Sequence, residues 1–437
     1  MEQRRIPPEK GRKLAAARDL LAVAVFLAIV FFGGRAFLGS AIFMKERVTK
    51  AEAKEDISVF FDEAAKERPA APGAVPDYSG LERQALRSAA PLLDNFGRLN
   101  TLDLARILFR ASASFGDPDT RLYWRYPRYN RDPEKKFPPF ILGCRSGRFF
   151  ISEADDKTLN GAELLSADGK PFAEFLRPAL ALIPGQTEAY RAYAFCRDQA
   201  FWWNFSALLS GTPQLELKAR TAGGRTVERT LPLITALEFR RFVPRTHAQQ
   251  LRFYSRESAA WLRLYGLEYS RAKNKKLRGF FSSIRASGIR NLVLDLRDSG
   301  GGDPRMADRL LALIYGGADG KPGEAGARFS GKLTVVIGPG TAGPAALLAA
   351  RLKGKQNVEL LGERTGGGPA FYYDPETRRL PASGLRYTVS TRYCQGDTAP
   401  VAPESELTPA LLSRYRGMET EFVLSRLFPK KEKTAHN

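Results

Sequence analysis

The spacing of apolar residues changes character several times along this chain. "LLAVAVFLAIVFFGGRAFLGSAIFM" (Leu20–Met44) is apolar apart from Arg35. After Met44 the sequence begins helix-like and ends in the Pro, Ala and Gly-rich run "RPAAPGAVPDYSG". "LERQALRSAAPLLDNFGRLNTLDLARILFRASASF" then carries apolar residues at helical spacing, predicting a small helical subdomain. "LNGAELLSADGKPFAEFLRPALALI" predicts a strand, a tight "DG" turn and an amphipathic helix, and "QLELKARTAGGRTVERTLPLI" a hairpin around "GG". From "AAWLRLYGL" onward, buried strands alternate with helices: "IRNLVLDLRDSGGG", "PRMADRLLALIYGG", "KLTVVIG", "AALLAARLKG" and "VELLGERTGGG". That alternation predicts an α/β layer covered on both faces. The expected organisation is an apolar start (1–44), a linker (45–79), a helical subdomain (80–136), a β-rich module (137–234), an α/β core (235–429) and a basic tail (430–437).

Leu20–Met44 changes the picture most, because a bilayer core needs roughly twenty apolar residues in a helix. Six Lys and Arg precede Leu20, which favours a cytoplasmic N-terminus. A signal anchor and a signal peptide cut near "GSA" (Gly39–Ala41) both fit, and the long charged start favours the anchor. The expected location is a bacterial-type inner membrane, single pass, with the bulk of the chain periplasmic. The net charge is +21, with concentrations at "RLYWRYPRYNRDPEKK", "RAKNKKLR" and the tail. A solvated Arg-rich surface is the simplest reading and attraction to an anionic envelope surface the next. No nucleic-acid module accompanies the charge, and a position outside the cytoplasm argues against nucleic acid as partner. Cys144, Cys196 and Cys394 are too few for a disulfide scaffold and lack zinc-ligand spacing, and one bridge stays open. No metal or cofactor motif is present: "GERTGGGP" and "DSGGG" lack the dinucleotide fingerprint and the Walker lysine, so they read as tight turns.

"LVLDLRDSGGG", "TAGPAALLAARLKGKQNVELLGERTGGG" and "GAELLSADGKPFAEFL" together resemble the tail-specific, or C-terminal processing, serine peptidases. "GERTGGG" is closer to the branch that holds the tricorn core and the photoreceptor retinoid-binding protein. The resemblance covers roughly residues 115–418. It implies a helical cap, a PDZ-like module and a crotonase-like α/β core, with a serine in a "TAS"-like elbow as nucleophile. It also implies a histidine from a "DGHT"-like motif, or a lysine in a "GKTFGKG"-like turn, as base. Carried onto this chain, the serine position falls on Gly343, the histidine position on Asp119 of "FGDPDTRL", and the lysine position on Gly368. The oxyanion turn is kept at Gly300, Gly301 and Gly302, the donor after the nucleophile falls on Pro344, and a late acidic residue on Glu404 or Glu406.

Acyl transfer needs an oxygen nucleophile, a proton acceptor and donors aimed at the oxyanion. Gly343 offers no oxygen and Pro344 no N–H. Thr341 is the nearest hydroxyl, but a threonine there is expected to cap the following helix or shape the turn before it. Ser299 reads as a turn residue, His247 as a loop residue and His436 as part of the tail. Asp119 is a lone aspartate after "DP", more often a turn residue than a metal ligand or a base. "FCRDQAFWWNF" (Phe195–Phe205) reads as core or domain seam before ligand groove. The expected protein is a degenerate family member that binds peptide or protein C-termini without cutting them. The alternatives are a peptidase using non-standard residues and a carrier of an apolar small molecule.

Overall fold

In the computed structural model, residues 44–72, 76–123, 136–197, 208–209, 211–242, 250–254, 258–316 and 329–407 are described. The expected span at 20–44 falls outside them apart from Met44, as do residues 124–135, His247, His436 and everything after 407. No helix among the described residues is long and apolar enough to cross a membrane.

Helix α1 (Lys50–Glu67) opens on a capping box between Thr49 and Glu52. Its inner face sets Ala53, Ile57, Phe60, Phe61 and Ala64 three to four residues apart, all buried. Full burial of each large side chain contributes about 1.5–3 kcal/mol, far more than a linker could forgo. The expected linker at 45–79 is thus corrected: most of it is a packed helix, and its cap and spacing are legible in the sequence. Helices α2 (Tyr78–Ala89) and α3 (Thr101–Ala113) complete the cap, and strand β1 (Arg121–Tyr123) leaves it.

The β-rich module follows, with strands β2 (Phe140–Arg145), β3 (Arg148–Ala154) and β4 (Glu163–Ala167), helices α4 (Phe172–Leu180) and α5 (Glu188–Arg197), and strands β5 (Gln214–Arg220) and β6 (Thr226–Pro232). The strands form one antiparallel sheet in the order β6-β5-β4-β3-β2. The "DG" turn takes left-handed backbone at both residues, Asp168 at φ 46° and Gly169 at φ 75°, and delivers the chain into α4. Ala236, Phe239 and Phe242 join this module's core, so it extends to 242, beyond the expected boundary at 234.

The third unit holds strands β7 (Gln250–Tyr254) and β8 (Ala259–Arg263), helix α6 (Arg271–Ala286), strand β9 (Asn291–Asp295), helix α7 (Pro304–Tyr315) and strand β10 (Lys332–Ile337). Helix α8 (Pro344–Leu352) and strand β11 (Val358–Gly362) come next, then β12 (Phe371–Arg379), β13 (Arg386–Cys394) and β14 (Ser405–Glu406). The main sheet runs β7-β8-β9-β10-β11-β14, antiparallel at β7 and parallel throughout the rest. Residues 292–295 and 333–337 are buried without alternation, as a sheet covered on both faces requires. The β12–β13 hairpin leaves this sheet, pairs with β1, and lends Leu380, Leu385, Tyr387 and Val389 to the cap's core. The Asp56 carboxylate of α1 fixes the hairpin tip by accepting the Ala382 and Ser383 N–H groups, both at 2.8 Å. The cap is therefore not closed at 136 as expected, because its packing depends on residues some 260 positions later. All three cysteines are free thiols.

A candidate active-site cleft

Parallel strands β9, β10 and β11 end on the same side of the sheet, where open α/β sheets place their ligands. The turn after β9 carries Gly300–Gly302, the turn after β10 carries Thr341–Gly343, and the turn after β11 carries Gly366–Gly368. The cap adds Asp117–Arg121 and the β-rich module adds Gln186 and Tyr190. These segments enclose a cleft of about 150 Å³, floored by Gly300, Gly301, Ala342 and Gly343 and walled by Asp119, Arg121, Tyr190, Phe371 and Tyr372. Positions far apart in the chain and assigned by resemblance alone, Asp119, Gly300, Gly301 and Gly343, thus share one cavity.

Buried hydroxyls fix the two floor turns. Ser299 Oγ donates to the Leu264 carbonyl at 2.6 Å, and Thr341 Oγ1 donates to the Leu296 carbonyl at 2.8 Å while accepting Gly338 N–H at 3.0 Å. Both residues are fully buried, so neither hydroxyl is presented to the cleft. Of the two structural roles expected of Thr341, cap or turn, the turn is the one seen: its side chain closes the turn before the helix, and α8 has no side-chain cap.

Gly343 sits at the N-cap of α8 with φ 58° and ψ −130°, a backbone that L-residues adopt only under strain. A Cβ there would lie 3.5 Å from Phe371 Cδ2 and 3.7 Å from Gly301 N, ordinary contact distances. The turn keeps the strained strand-to-helix shape that exposes a nucleophile, and space for one, without its side chain. Among the described residues none accepts a hydrogen bond from Gly301 N–H or Gly343 N–H. Pro344 occupies the first helical position, where its missing N–H breaks no helix bond. Among the described residues lining the cleft, none is Ser, Thr, Cys, Lys or His.

Asp119, at the expected histidine position, is the carboxyl to which the cleft does most. Desolvation first, then the charge of Asp117, pushes it up to about 7, against the opposing pull of Arg121. Asp117 behind it is buried, takes Thr120 Oγ1 at 2.5 Å and pairs with the equally buried Arg68 at 3.4 Å. The Arg68 guanidinium also lies 3.7 Å over the Tyr372 ring, joining the cap to that wall of the cleft.

Gln186 pins the β-rich module across the third turn: Nε2 donates to the Ala370 carbonyl at 2.7 Å and Oε1 accepts Gly368 N–H at 2.8 Å. Thr187 Oγ1 donates to the Gly366 carbonyl at 2.8 Å. Gly366 is obligatory, since a Cβ there would fall 1.9 Å from the Pro339 carbonyl oxygen. Gly368 does not line the cleft, and a Cβ would meet the Thr398 backbone at 2.4 Å, so no lysine base fits. Glu404 is also outside the cleft: it is exposed and closes the sheet edge, exchanging bonds with Leu360 at 2.9 and 3.1 Å. Glu406 is exposed in β14. Sequence reasoning missed Arg121, Gln186, Tyr190, Phe371 and Tyr372, which no local motif marks because packing between the three units brings them here.

Residues 258–404 match the family model of Peptidase family S41. The match falls within the α/β core, whose residues 258–404 are similar to that family. Among solved structures, a CPAF mutant aligns with a TM-score of 0.59 at 13% identity, covering 86% of this chain and 96% of that one. Mature CPAF complexed with lactacystin aligns at 0.55 and 13% identity, covering 86% and 99%, and mature CPAF at 0.54 and 13%, covering 86% and 98%. At this identity the likeness concerns the fold, and it extends beyond residues 258–404 to most of the chain. No curated protein matches by sequence.

Proposed function

We propose that this chain is a tail-specific-protease-like protein that binds extended peptides in its S41 cleft and does not cleave them. The observation that carries this reading is Gly343 followed by Pro344 at the cleft floor. The elbow keeps its strained backbone and vacant side-chain space, yet nucleophile and following amide donor are both missing. Losing one oxyanion donor alone costs about 3–4 kcal/mol of transition-state stabilisation. Losing nucleophile, donor and histidine together leaves binding and residual electrostatics. Antiparallel edge strands β2 and β6 give the β-rich module, read as PDZ-like, two places where a peptide strand adds. The apolar run at 20–44 tethers the protein to the membrane in this reading, with the cleft outside the cytoplasm.

The test pairs turnover with binding. The full chain is expected not to react with a fluorophosphonate probe or to cleave unfolded casein, while retaining fluorescent peptides in polarisation measurements. Turnover that co-purifies with the protein through successive columns overturns the reading. A second reading, hydrolysis by water with Asp119 as base, draws on a carboxyl that titrates near 7 in the same cleft. It requires turnover that Asp119→Asn abolishes.

A further inference from the structure

A second cavity, about 300 Å³, lies in the cap between helices α2 and α3 and shares no lining residue with the cleft. Helix α2 lines it from Leu81 to Ser88 and helix α3 from Asp103 to Ser114, in both cases with residues three and four apart, so each helix presents one continuous face. The α3 face is about 16 Å long, roughly three turns. Leu81, Ala85, Ile107, Ala111 and Leu182 supply the apolar lining, and Leu92, 47% exposed, continues it to the surface. Contiguous apolar surface of this kind marks an interaction site. The walls are helices whose backbone groups bond internally, so they offer no ladder to an extended strand. A chain that docks here must satisfy its own backbone, and a helix does. Charge narrows the occupant further. Arg106 and Arg110 stand one turn apart on the α3 face, and Asp103 is the one acid among the described lining residues. Arg106 donates to Asp103 at 3.1 Å, while among the described residues nothing pairs with the Arg110 guanidinium.

We propose that the α2–α3 groove docks an amphipathic helix of a partner protein, its apolar stripe against Leu81, Ala85, Ile107 and Ala111 and its acidic residues, one turn apart, against Arg106 and Arg110. The incoming helix spans about three turns and carries apolar residues at i, i+3, i+4 and i+7. Ala85 and Ala111 are small, which lets its axis come close. Ion pairs between exposed side chains contribute little to affinity, so burial of the stripe holds the helix and the acids select it. Helix α3 ends at Ala113, three positions before Gly116 at the start of the cleft wall, and Leu182 lies four positions before Gln186. A docked partner thus bears on the segments through which the cap and the β-rich module reach the cleft.

The probe is a stapled, fluorescein-labelled helix of about fifteen residues, with leucines at that spacing and two glutamates one turn apart on a flank. One control has lysines in place of the glutamates, and another has a scrambled order that breaks the stripe. In polarisation titrations with the full chain, the glutamate helix is expected to bind at least about tenfold more tightly than the lysine helix, and the scrambled helix not to bind. Arg110→Glu, at an exposed position, is expected to weaken the glutamate helix and strengthen the lysine helix. Equal binding of the glutamate and lysine helices overturns the acidic partner. Absence of saturable binding, or equal binding of the scrambled helix, overturns the docking site. A concentration-dependent dimer in sedimentation that the glutamate helix dissociates gives the groove to a second copy of this chain and overturns the inference as well. The comparison of helices needs no variant, so it decides even if Arg110→Glu does not fold. Its failure leaves the reading of the cleft intact, because no residue lines both cavities.

Discussion

Refilling the elbow gives the sharpest prediction. Gly343→Ser adds a Cβ 3.5–3.7 Å from its neighbours, so packing does not oppose it. The cost is backbone strain at φ 58° and ψ −130°, about 1–3 kcal/mol for an L-residue. The variant is thus expected to fold, with urea unfolding shifted by about that amount. On the proposed reading its serine is expected to stay unreactive, since Asp119 stands at the expected histidine position and Pro344 offers no amide donor. Gly343→Ser with Asp119→His supplies nucleophile and base but still lacks one donor. Adding Pro344→Ala restores that N–H, and with about 3–4 kcal/mol per donor the labelling rate should rise some hundred- to thousandfold over the double variant. The assay is the time course of fluorophosphonate labelling, with unlabelled wild-type protein as baseline. Equal rates in the double and triple variants would refute the placement of the oxyanion donor at residue 344. Failure of Gly343→Ser to fold would refute the claim that the elbow still has room.

Other expectations concern the supports of the cleft. Arg68→Ala leaves buried Asp117 without its ion partner and should cost about 3–5 kcal/mol in urea unfolding, and a loss below about 1 would contradict the buried pair. Asp56→Ala orphans the Ala382 and Ser383 amides at the hairpin tip, and about 2 kcal/mol of stability should go with them, read by the same method. Asp119 keeps its proton in the folded state between its ordinary value of 3.8 and about 7, while the unfolded chain loses it. Stability therefore falls as pH rises through that window, and Asp119→Asn should flatten that part of the profile. Glu404→Gln should leave peptide binding unchanged in polarisation titrations, since the carboxylate sits at a sheet edge away from the cleft.

The division of labour in the cleft has a physical logic. The core supplies backbone: three glycine turns at the ends of parallel strands, fixed by the buried hydroxyls of Ser299 and Thr341. The cap supplies charge through Asp117, Asp119 and Arg121, and the β-rich module supplies Gln186 and Tyr190. The β12–β13 hairpin couples core to cap, and Gln186 couples module to core. Substitutions at these joints should change binding without touching the cleft floor.

Local pattern determined much of this protein. Strand β9, its glycine turn, helix α7, strand β10, the elbow and helix α8 follow from apolar runs and turn residues adjacent in sequence. That residue 343 carries no side-chain oxygen and residue 344 no N–H is likewise a fact of sequence, because glycine and proline lack those atoms wherever they lie. The capping box and helical spacing before α1 were equally legible, although proline-rich composition a few residues later pointed to a linker. Other features needed the folded chain. Whether Thr341 capped a helix or closed a turn depended on the Leu296 carbonyl, 45 residues away. That Asp119 lines the same cleft as the elbow, and that Gly368 and Glu404 do not, depended on contacts between units that no short-range spacing encodes. The raised affinity of Asp119 for its proton has the same origin, since desolvation and neighbouring charge are properties of a packed environment rather than of a residue.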